Sequence, residues 1–343
     1  MIELLPVEEA VGLPLAHDIT EIRPGEFKGP AFRRGHVLKE SEVEHMRRLG
    51  KNRLFVIHLE SNEMHEDEAA ATIAKALCGE GVGWEGAPRE GKITLKATRD
   101  GLLKVDVDAL TRFNALGDLM CATRHTNTVV VRGQDIGATR AIPLLIRKTR
   151  VEKAVRICRQ SLGVLRVFHL KHVKVGVLIT GTEVYEGRIP DRFEPIIRRK
   201  VESLGGLIMD VFFLPDDEER IAKEALDLVA RGADIIITTG GMSVDPDDRT
   251  RFALKKAGAK EMLYGSPVLP GAMFMVTYLN GIPVLGIPAC GLFAKTTVFD
   301  LIYPRILVGE RISRQDLAKL GHGGYCLHCE VCRYPDCSFG KST

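Results

Sequence analysis

From Val173 to Leu307 the chain repeats one rhythm: a short apolar run, a loop rich in Gly, Thr and Asp, then a helical pattern. Val173 to Ile179 is continuously apolar apart from one Lys and one Gly, as a strand buried on both faces requires. Pro195 sits where a helix can begin, because its ring fixes φ and its missing N–H costs nothing in a first turn. Ile196, Ile197, Val201 and Leu204 then share one helical face. Leu207 to Leu214 predicts the next strand, and Asp216 and Asp217 are placed to cap the helix after it. Ile221, Ala225, Leu228 and Val229 recur on that helix at helical spacing. Asp234 to Thr238 predicts a short buried strand, Asn280-Gly281 a hairpin, and Leu292 to Leu307 the last long helix. This alternation specifies an α/β fold, a parallel or mixed sheet with helices on both faces.

The rest of the 343 residues reads differently. Residues 1–60 mix short strands and Pro/Gly turns with a helical pattern at Ser41 to Leu49 and a strand at Arg53 to His58. Residues 61–165 open with a helix, Glu66 to Leu77. Short strands follow at Lys92 to Lys96 and Thr128 to Val131, then a strand and helix between Ala141 and Leu165. Together they predict a mixed α+β N-terminal region. The α/β domain is expected over 166–312, and a Gly- and Cys-rich tail over 313–343. Lys+Arg 48 against Asp+Glu 45 leaves a charge of +3, too balanced to favour nucleic acid or an anionic membrane as main partner. No apolar run is long enough to span a membrane, and the first residues carry acids and prolines where a signal peptide needs a basic end and an apolar core. The cytoplasm is therefore the expected compartment, with the eight cysteines as thiols or metal ligands rather than disulfides.

In an open α/β sheet, ligands sit beyond the carboxyl ends of the strands. Two loops occupy that position. Thr180-Gly181-Thr182-Glu183 follows the first strand, and Thr239-Gly240-Gly241-Met242-Ser243 through Asp245 to Asp248 follows DIIIT. Paired glycines let backbone N–H groups turn toward an anion, and the hydroxyls of Thr239 and Ser243 add donors. Carboxylates beside a phosphate make chemical sense when they bind Mg²⁺ or a basic heterocycle. A plain Gly-Gly turn followed by an acidic helix cap accounts for the same residues, and the residue types alone do not separate the two.

The order of these pieces resembles the molybdopterin-binding domain shared by molybdenum-cofactor assembly proteins (the MoeA and MogA/MoaB types, gephyrin) and by CinA. ITGTE, Arg188-Ile-Pro-Asp191, TTGGMSVDPDD and Gly281 to Pro288 match its motifs in order. The resemblance implies that Thr180, Gly181, Thr182 and Glu183 line the pterin side of a pocket. It implies that Thr239, Gly240, Gly241 and Ser243 hold the pterin's terminal phosphate. Asp248 would serve Mg²⁺, molybdate or nucleotide chemistry, with Asp191 as second acid and Arg188 and Arg192 as weaker anion contacts. Val11 to Asp18 and Phe32 to Val37 resemble the start of the MoeA type. Two departures stand out. The family's lysine-bearing K-P-G-K-P loop reads Leu269-Pro270-Gly271-Ala272-Met273, and its G-N-P-V-S loop reads Pro288-Ala289-Cys290-Gly291-Leu292. The resemblance also implies a homodimer, with the pocket built across subunits.

Cys326, Cys329, Cys332 and Cys337 place four thiols within twelve positions. Such spacing lets one short loop wrap a soft metal without a long closure penalty. The first three match the start of a ferredoxin run, whereas a Cys₄ zinc site calls for paired knuckles. An iron–sulfur cluster is favoured over zinc, with a disordered or redox tail as the remaining alternative. His322 and His328 are substitute ligands. With no core of its own, the tail is expected to order on metal binding. The expected function is molybdopterin binding in molybdenum cofactor biosynthesis, with Mg²⁺-dependent molybdate insertion into adenylylated molybdopterin if the protein is an enzyme. The rivals are a non-enzymatic carrier or redox/metal sensor that docks a molybdoenzyme or another assembly protein, and a CinA-like nucleotide pyrophosphate hydrolase.

Overall fold

The computed structural model describes residues 2–23, 27–57, 60–241 and 249–341. The chain forms two compact units. One comprises residues 1–99, 105–124 and 131–167, the other residues 100–104, 125–130 and 168–343.

The second unit is built on a six-stranded sheet. Its strands are β1 (Lys174–Thr180), β2 (Leu207–Leu214), β3 (Ile235–Thr239), β4 (Lys260–Tyr264), β5 (Met275–Leu279) and β6 (Ile282–Ile287). They lie in the order β2-β1-β3-β6-β5-β4. The first four run parallel, and β5 and β4 close the sheet antiparallel, so the sheet is mixed. Asn280 and Gly281 both take positive φ, 50° and 86°, as a two-residue hairpin between β5 and β6 demands. The helices are α1 (Phe193–Glu202), α2 (Glu218–Ala230), α3 (Thr250–Lys256), α4 (Val298–Leu307) and α5 (Arg314–Lys319).

Period-two alternation divides the sheet residues between two cores. Val175, Val177, Ile179, Ile235, Ile237, Leu285 and Ile287 pack with Ile197 and Val201 of α1 and with the buried face of α4. Leu178, Ile236, Met275 and Val284 pack with Ile221, Ala225 and Leu228 of α2 and Ala253 and Leu254 of α3. Helices therefore cover both faces. Gly176 permits the approach of α2, since a Cβ there would lie 2.6 Å from the Leu228 side chain.

Two expectations change. The last helix begins at Val298 rather than Leu292. Thr297 caps it, accepting from Phe299 N at 3.2 Å, while Asp300 accepts from Thr297 N at 2.8 Å; residues Ala289–Leu292 form a separate 3-10 turn. The tail does have a core, because it borrows one: Phe339 is buried in the α1/α4 cluster, with Cys326, Tyr334 and Cys337 packed against it. The tail also opens with a helix, α5, fixed by the Ser313–Asp316 capping box.

The first unit pairs Ile2–Pro6 with Arg53–Ile57 and folds Ile19–Arg23 onto Phe27–Phe32. Val7, Leu15, Ile19, Leu38, Met46 and Leu54 fill its first core. Beyond residue 60 a helix, Glu66–Leu77, matches the expected span, and an antiparallel sheet runs Val82–Gly83, Lys92–Ala97, Asp135–Ala141, Leu119–Thr123. Among the described residues no helix is long and apolar enough to cross a membrane.

Candidate functional site

The sheet order reverses at β1, which lies between β2 and β3, so the loops leaving β1 and β3 flank a topological switch point. Both carry predicted site residues. Thr180, the last residue of β1, donates its hydroxyl to Thr239 O at 3.1 Å and sits 2.9 Å from the hydroxyl of Thr250. Thr250, the first residue of α3, donates from Oγ1 to Gly240 O and from N to Gly241 O, each at 3.2 Å. Gly240 and Gly241 are thereby held against β1. Their φ values are +84° and +54°, and added Cβ atoms would lie 2.0 Å from Thr180 O and 2.4 Å from Thr250 Oγ1. Only glycine fits this path. Sequence reading missed Thr250, which lies beyond the loop motif.

Thr239 Oγ1, at the very end of β3, is buried without a hydrogen-bond partner among the described residues. A buried unpaired hydroxyl costs about 1–3 kcal/mol, and here it precedes the glycine pair directly. Beyond the glycines opens a cavity of about 580 Å³. Gly240, Gly241, the Leu269 to Met273 loop, Ile287 to Cys290 and His328 line it. That volume suits a small organic ligand. Ser243 and Asp248 lie outside the described residues.

The other predicted residues have structural partners. Gly181, at φ 143°, donates its N–H to Leu214 O at 3.1 Å and precedes one helical turn, Thr182–Tyr185. Thr182 donates to Asp216 Oδ2 from N at 2.9 Å and from Oγ1 at 3.0 Å. Asp216, expected as a helix cap, thus ties the β1 loop to the end of β2, and Asp217 alone caps α2, accepting from Arg220 N at 2.8 Å. Asp191 accepts from Phe193 N at 3.0 Å and Glu194 N at 2.9 Å, so both of its oxygens serve the start of α1. Neither Asp191 nor Glu183 lines the cavity described above. Arg188 pairs with Glu186. Cys290 does line the cavity, and burial pushes its thiol up, which keeps it protonated and unreactive.

Cys326, Cys329, Cys332 and Cys337 line a second cavity, of about 340 Å³. All four are free thiols. The hydroxyl of Thr296, 3.4 Å from Cys332 Sγ, together with the Tyr334 backbone, holds the Cys332 thiol below its ordinary range. That is the direction a metal-binding thiolate needs.

Among the described residues the one group of three or more ligand-type atoms within 4.8 Å of one another is elsewhere: His65, Glu66 and Asp67, in the first unit. Two of its three members, His65 and Asp67, are already hydrogen-bonded. His65 Nε2 donates to Ala16 O at 2.8 Å, and Nδ1 accepts from Asp67 N at 3.1 Å. Asp67 accepts from Gly91 N at 2.9 Å and from Arg34 at 3.2 Å.

Comparison with known proteins sets this geometry in context. Residues 176–307 match the family described as "Probable molybdopterin binding domain", and residues 4–58 match "Domain of unknown function (DUF8806)". A molybdopterin molybdenumtransferase of Haemophilus influenzae is 31% identical over 153 residues, which is 43% of this chain and 37% of the relative. A CinA-like protein of Thermosipho melanesiensis is 36% identical over 88 residues, 26% of this chain and 22% of the relative. The chain thus spans less than two-fifths of the length of these relatives. Among solved structures, the molybdopterin biosynthesis enzyme MoaB from Thermus thermophilus aligns with 40% of this chain and 98% of its own, at 21% identity and TM-score 0.35.

Proposed function

We propose, from the match of residues 176–307 to the molybdopterin-binding domain family, that this protein binds molybdopterin beside Gly240 and Gly241 and takes part in molybdenum cofactor biosynthesis. The observation that carries the reading is the buried Thr239 hydroxyl, which has no hydrogen-bond partner among the described residues and directly precedes the glycine pair. A phosphate oxygen would supply the acceptor that this hydroxyl lacks, and the glycine amides would supply further donors. Thr239, Gly240, Gly241 and Ser243 would hold the phosphate. Thr180, Gly181, Thr182 and Glu183 would shape the pterin side, with Thr180 and Thr250 fixing the glycine turn and Asp216 fixing Thr182.

Chemistry at this site would fall to acids. Asp248 is the proposed Mg²⁺ ligand, and Asp191 contributes only by giving up part of its cap on α1. Bound Mg²⁺ would orient molybdate or a phosphoanhydride. The tail thiols Cys326, Cys329, Cys332 and Cys337 would take an iron–sulfur cluster or zinc, in a cytoplasm that keeps them reduced. The homodimer and a molybdoenzyme or assembly partner belong to the same proposal.

A second reading, a non-enzymatic carrier or sensor, is favoured by one observation. Among the described residues lining the cavity, His328 alone carries a side-chain nitrogen, so little cationic charge is at hand to stabilise a transferring oxyanion. A CinA-like hydrolase remains the third reading, and Mg²⁺-dependent release of AMP or phosphate from a nucleotide pyrophosphate is its signature.

The test is retention of molybdopterin by the purified protein, read as pterin fluorescence after oxidation. Wild type should retain it. Gly241→Val, whose side chain must collide with Thr250, should not, and Thr239→Val, which keeps the fold, should retain it more weakly. Equal retention by all three would overturn the assignment. Loss of Mg²⁺-dependent activity in Asp248→Asn with pterin still bound would then separate enzyme from carrier.

A further inference from the structure

The glycine-loop cavity and the cysteine cavity share a wall. Pro270 and His328 line both. Backbone pairing makes the junction: Leu269 N donates to Gly324 O, and Cys326 N to Leu269 O, each at 2.8 Å, so that Leu269 and Tyr325 form a parallel bridge. The loop that walls the glycine cavity is therefore stitched to the segment that starts the cysteine motif. The far end of that segment is fixed as well. Gly340 N donates to Gly323 O at 2.9 Å, and Phe339 beside it is buried in the main core. The four cysteines thus lie on a loop closed at its base.

His328 sits between Cys326 and Cys329 on this loop, in the left-handed region at φ 50°. Among the described residues of the glycine-loop cavity its ring is the sole side-chain nitrogen donor. The remaining lining is Gly, Ala, Pro, Leu, Ile, Met and Cys. The α/β domain thus lines a cavity beside an anion-binding turn, and the cysteine loop brings the nitrogen donor to it.

The thiols are not drawn together as they stand. No three of them lie within 4.8 Å of one another, whereas four thiolates on one tetrahedral ion, at metal–sulfur distances of about 2.3 Å, sit roughly 3.8 Å apart. A single tetrahedral ion would have to draw the thiols closer, whereas an iron–sulfur cluster would accept them further apart. Cys326 is pinned to Leu269 through its backbone, and His328, which lines both cavities, lies on the stretch between Cys326 and Cys329.

We infer that the cysteine loop is a thiophilic-metal site that controls the pocket next door: loading it positions His328 against the anionic group of the pocket ligand, so that metal and phosphorylated ligand bind cooperatively. The inference rests on the reading of the Gly240–Gly241 cavity as a phosphate-binding pocket. Linkage makes the coupling reciprocal, each ligand raising the affinity of the other by the same factor. A factor of about ten falls within the usual range for such coupling.

The experiment uses the full chain, reduced and anaerobic, with Co²⁺ as a spectroscopic stand-in for zinc and molybdopterin as the pocket ligand. A parallel arm reconstitutes with Fe²⁺ and sulfide and asks which species builds the site. One Co²⁺ per chain with a thiolate-to-cobalt absorption band, and about tenfold tighter pterin binding when metal is present, is the expected result. His328→Ala should keep the cobalt band and lose the tenfold gain. Cys329→Ser combined with Cys332→Ser should lose both. Equal pterin affinity with and without bound metal overturns the coupling and leaves the pocket assignment standing. An undiminished gain in His328→Ala overturns the role given to that ring, and absence of a thiolate band with both Co²⁺ and iron overturns the metal site. A normal band with no pterin bound in either state marks failure of the pocket reading itself, and the coupling falls with it.

Discussion

His65, Glu66 and Asp67 bring three ligand-type atoms together, yet hydrogen bonds to Ala16, Gly91 and Arg34 already engage His65 and Asp67. The four tail cysteines stand further apart, but they face one cavity and all are free thiols. The two regions differ in what their polar atoms are for. In the first, closeness follows from capping the helix Glu66–Leu77: the His65 ring accepts from Asp67 N, and consecutive residues at a helix start must crowd. In the second, the thiols line one cavity without closing on one another, as the proposed metal site would leave them before loading. Proximity alone is thus a poor guide to a metal site. Uncommitted lone pairs around a shared space are a better one.

The largest effect should come from the thiols. Cys329→Ser with Cys332→Ser should abolish stoichiometric metal binding, read by elemental analysis after reconstitution, while His65→Ala leaves it intact. Metal lost in the His65 variant would reverse the comparison. Next is Gly240→Ala, whose Cβ would meet Thr180 O at 2.0 Å at a φ of +84°. It should cost about 3–4 kcal/mol by denaturant titration; a cost below about 1 kcal/mol would mean that the turn is not held as described. His65→Ala should lose about 2–3 kcal/mol, because it vacates a buried site and strands the Ala16 carbonyl.

Glu66 gives a pH-dependent test. Burial first, then the Asp67 carboxylate, pushes it up to about 7 from 4.5. The folded state therefore holds this proton more tightly than the unfolded chain does. The contribution of Glu66 to stability is fullest below pH 4.5 and is lost as pH rises through about 7. Glu66→Gln should match wild type near pH 4 and exceed it by about 1–2 kcal/mol at pH 8; parallel pH profiles for the two proteins would show that Glu66 carries no such shift. The smallest effect belongs to Thr239→Val. It should raise stability by about 1 kcal/mol without ligand, since the hydroxyl it removes is buried with no partner among the described residues. A loss of stability would reveal a structural role for that oxygen.

The α/β unit was legible in the sequence because its strands are short apolar runs bounded by loops. Leu207–Leu214 and the Asn280-Gly281 hairpin emerge as expected. The last helix was misplaced at its start because apolar Leu292, Phe293 and Ala294 lie just before it, and only the Thr297/Asp300 cap marks the true beginning. The tail seemed coreless because Phe339, Tyr334 and Cys337 find their apolar partners in the main sheet's core, which no local pattern reveals. The glycine turn was visible as a motif. Thr250, which locks it, and His328, which joins the two cavities, were not, because both depend on contacts between segments far apart in the chain.

The most direct measurement is a crystal structure of the protein with molybdopterin bound. The account predicts the terminal phosphate within hydrogen-bond distance of the Gly240 and Gly241 amides and the Thr239 hydroxyl. Pterin bound at saturation elsewhere on the chain, with Thr239 still unpartnered, would contradict it.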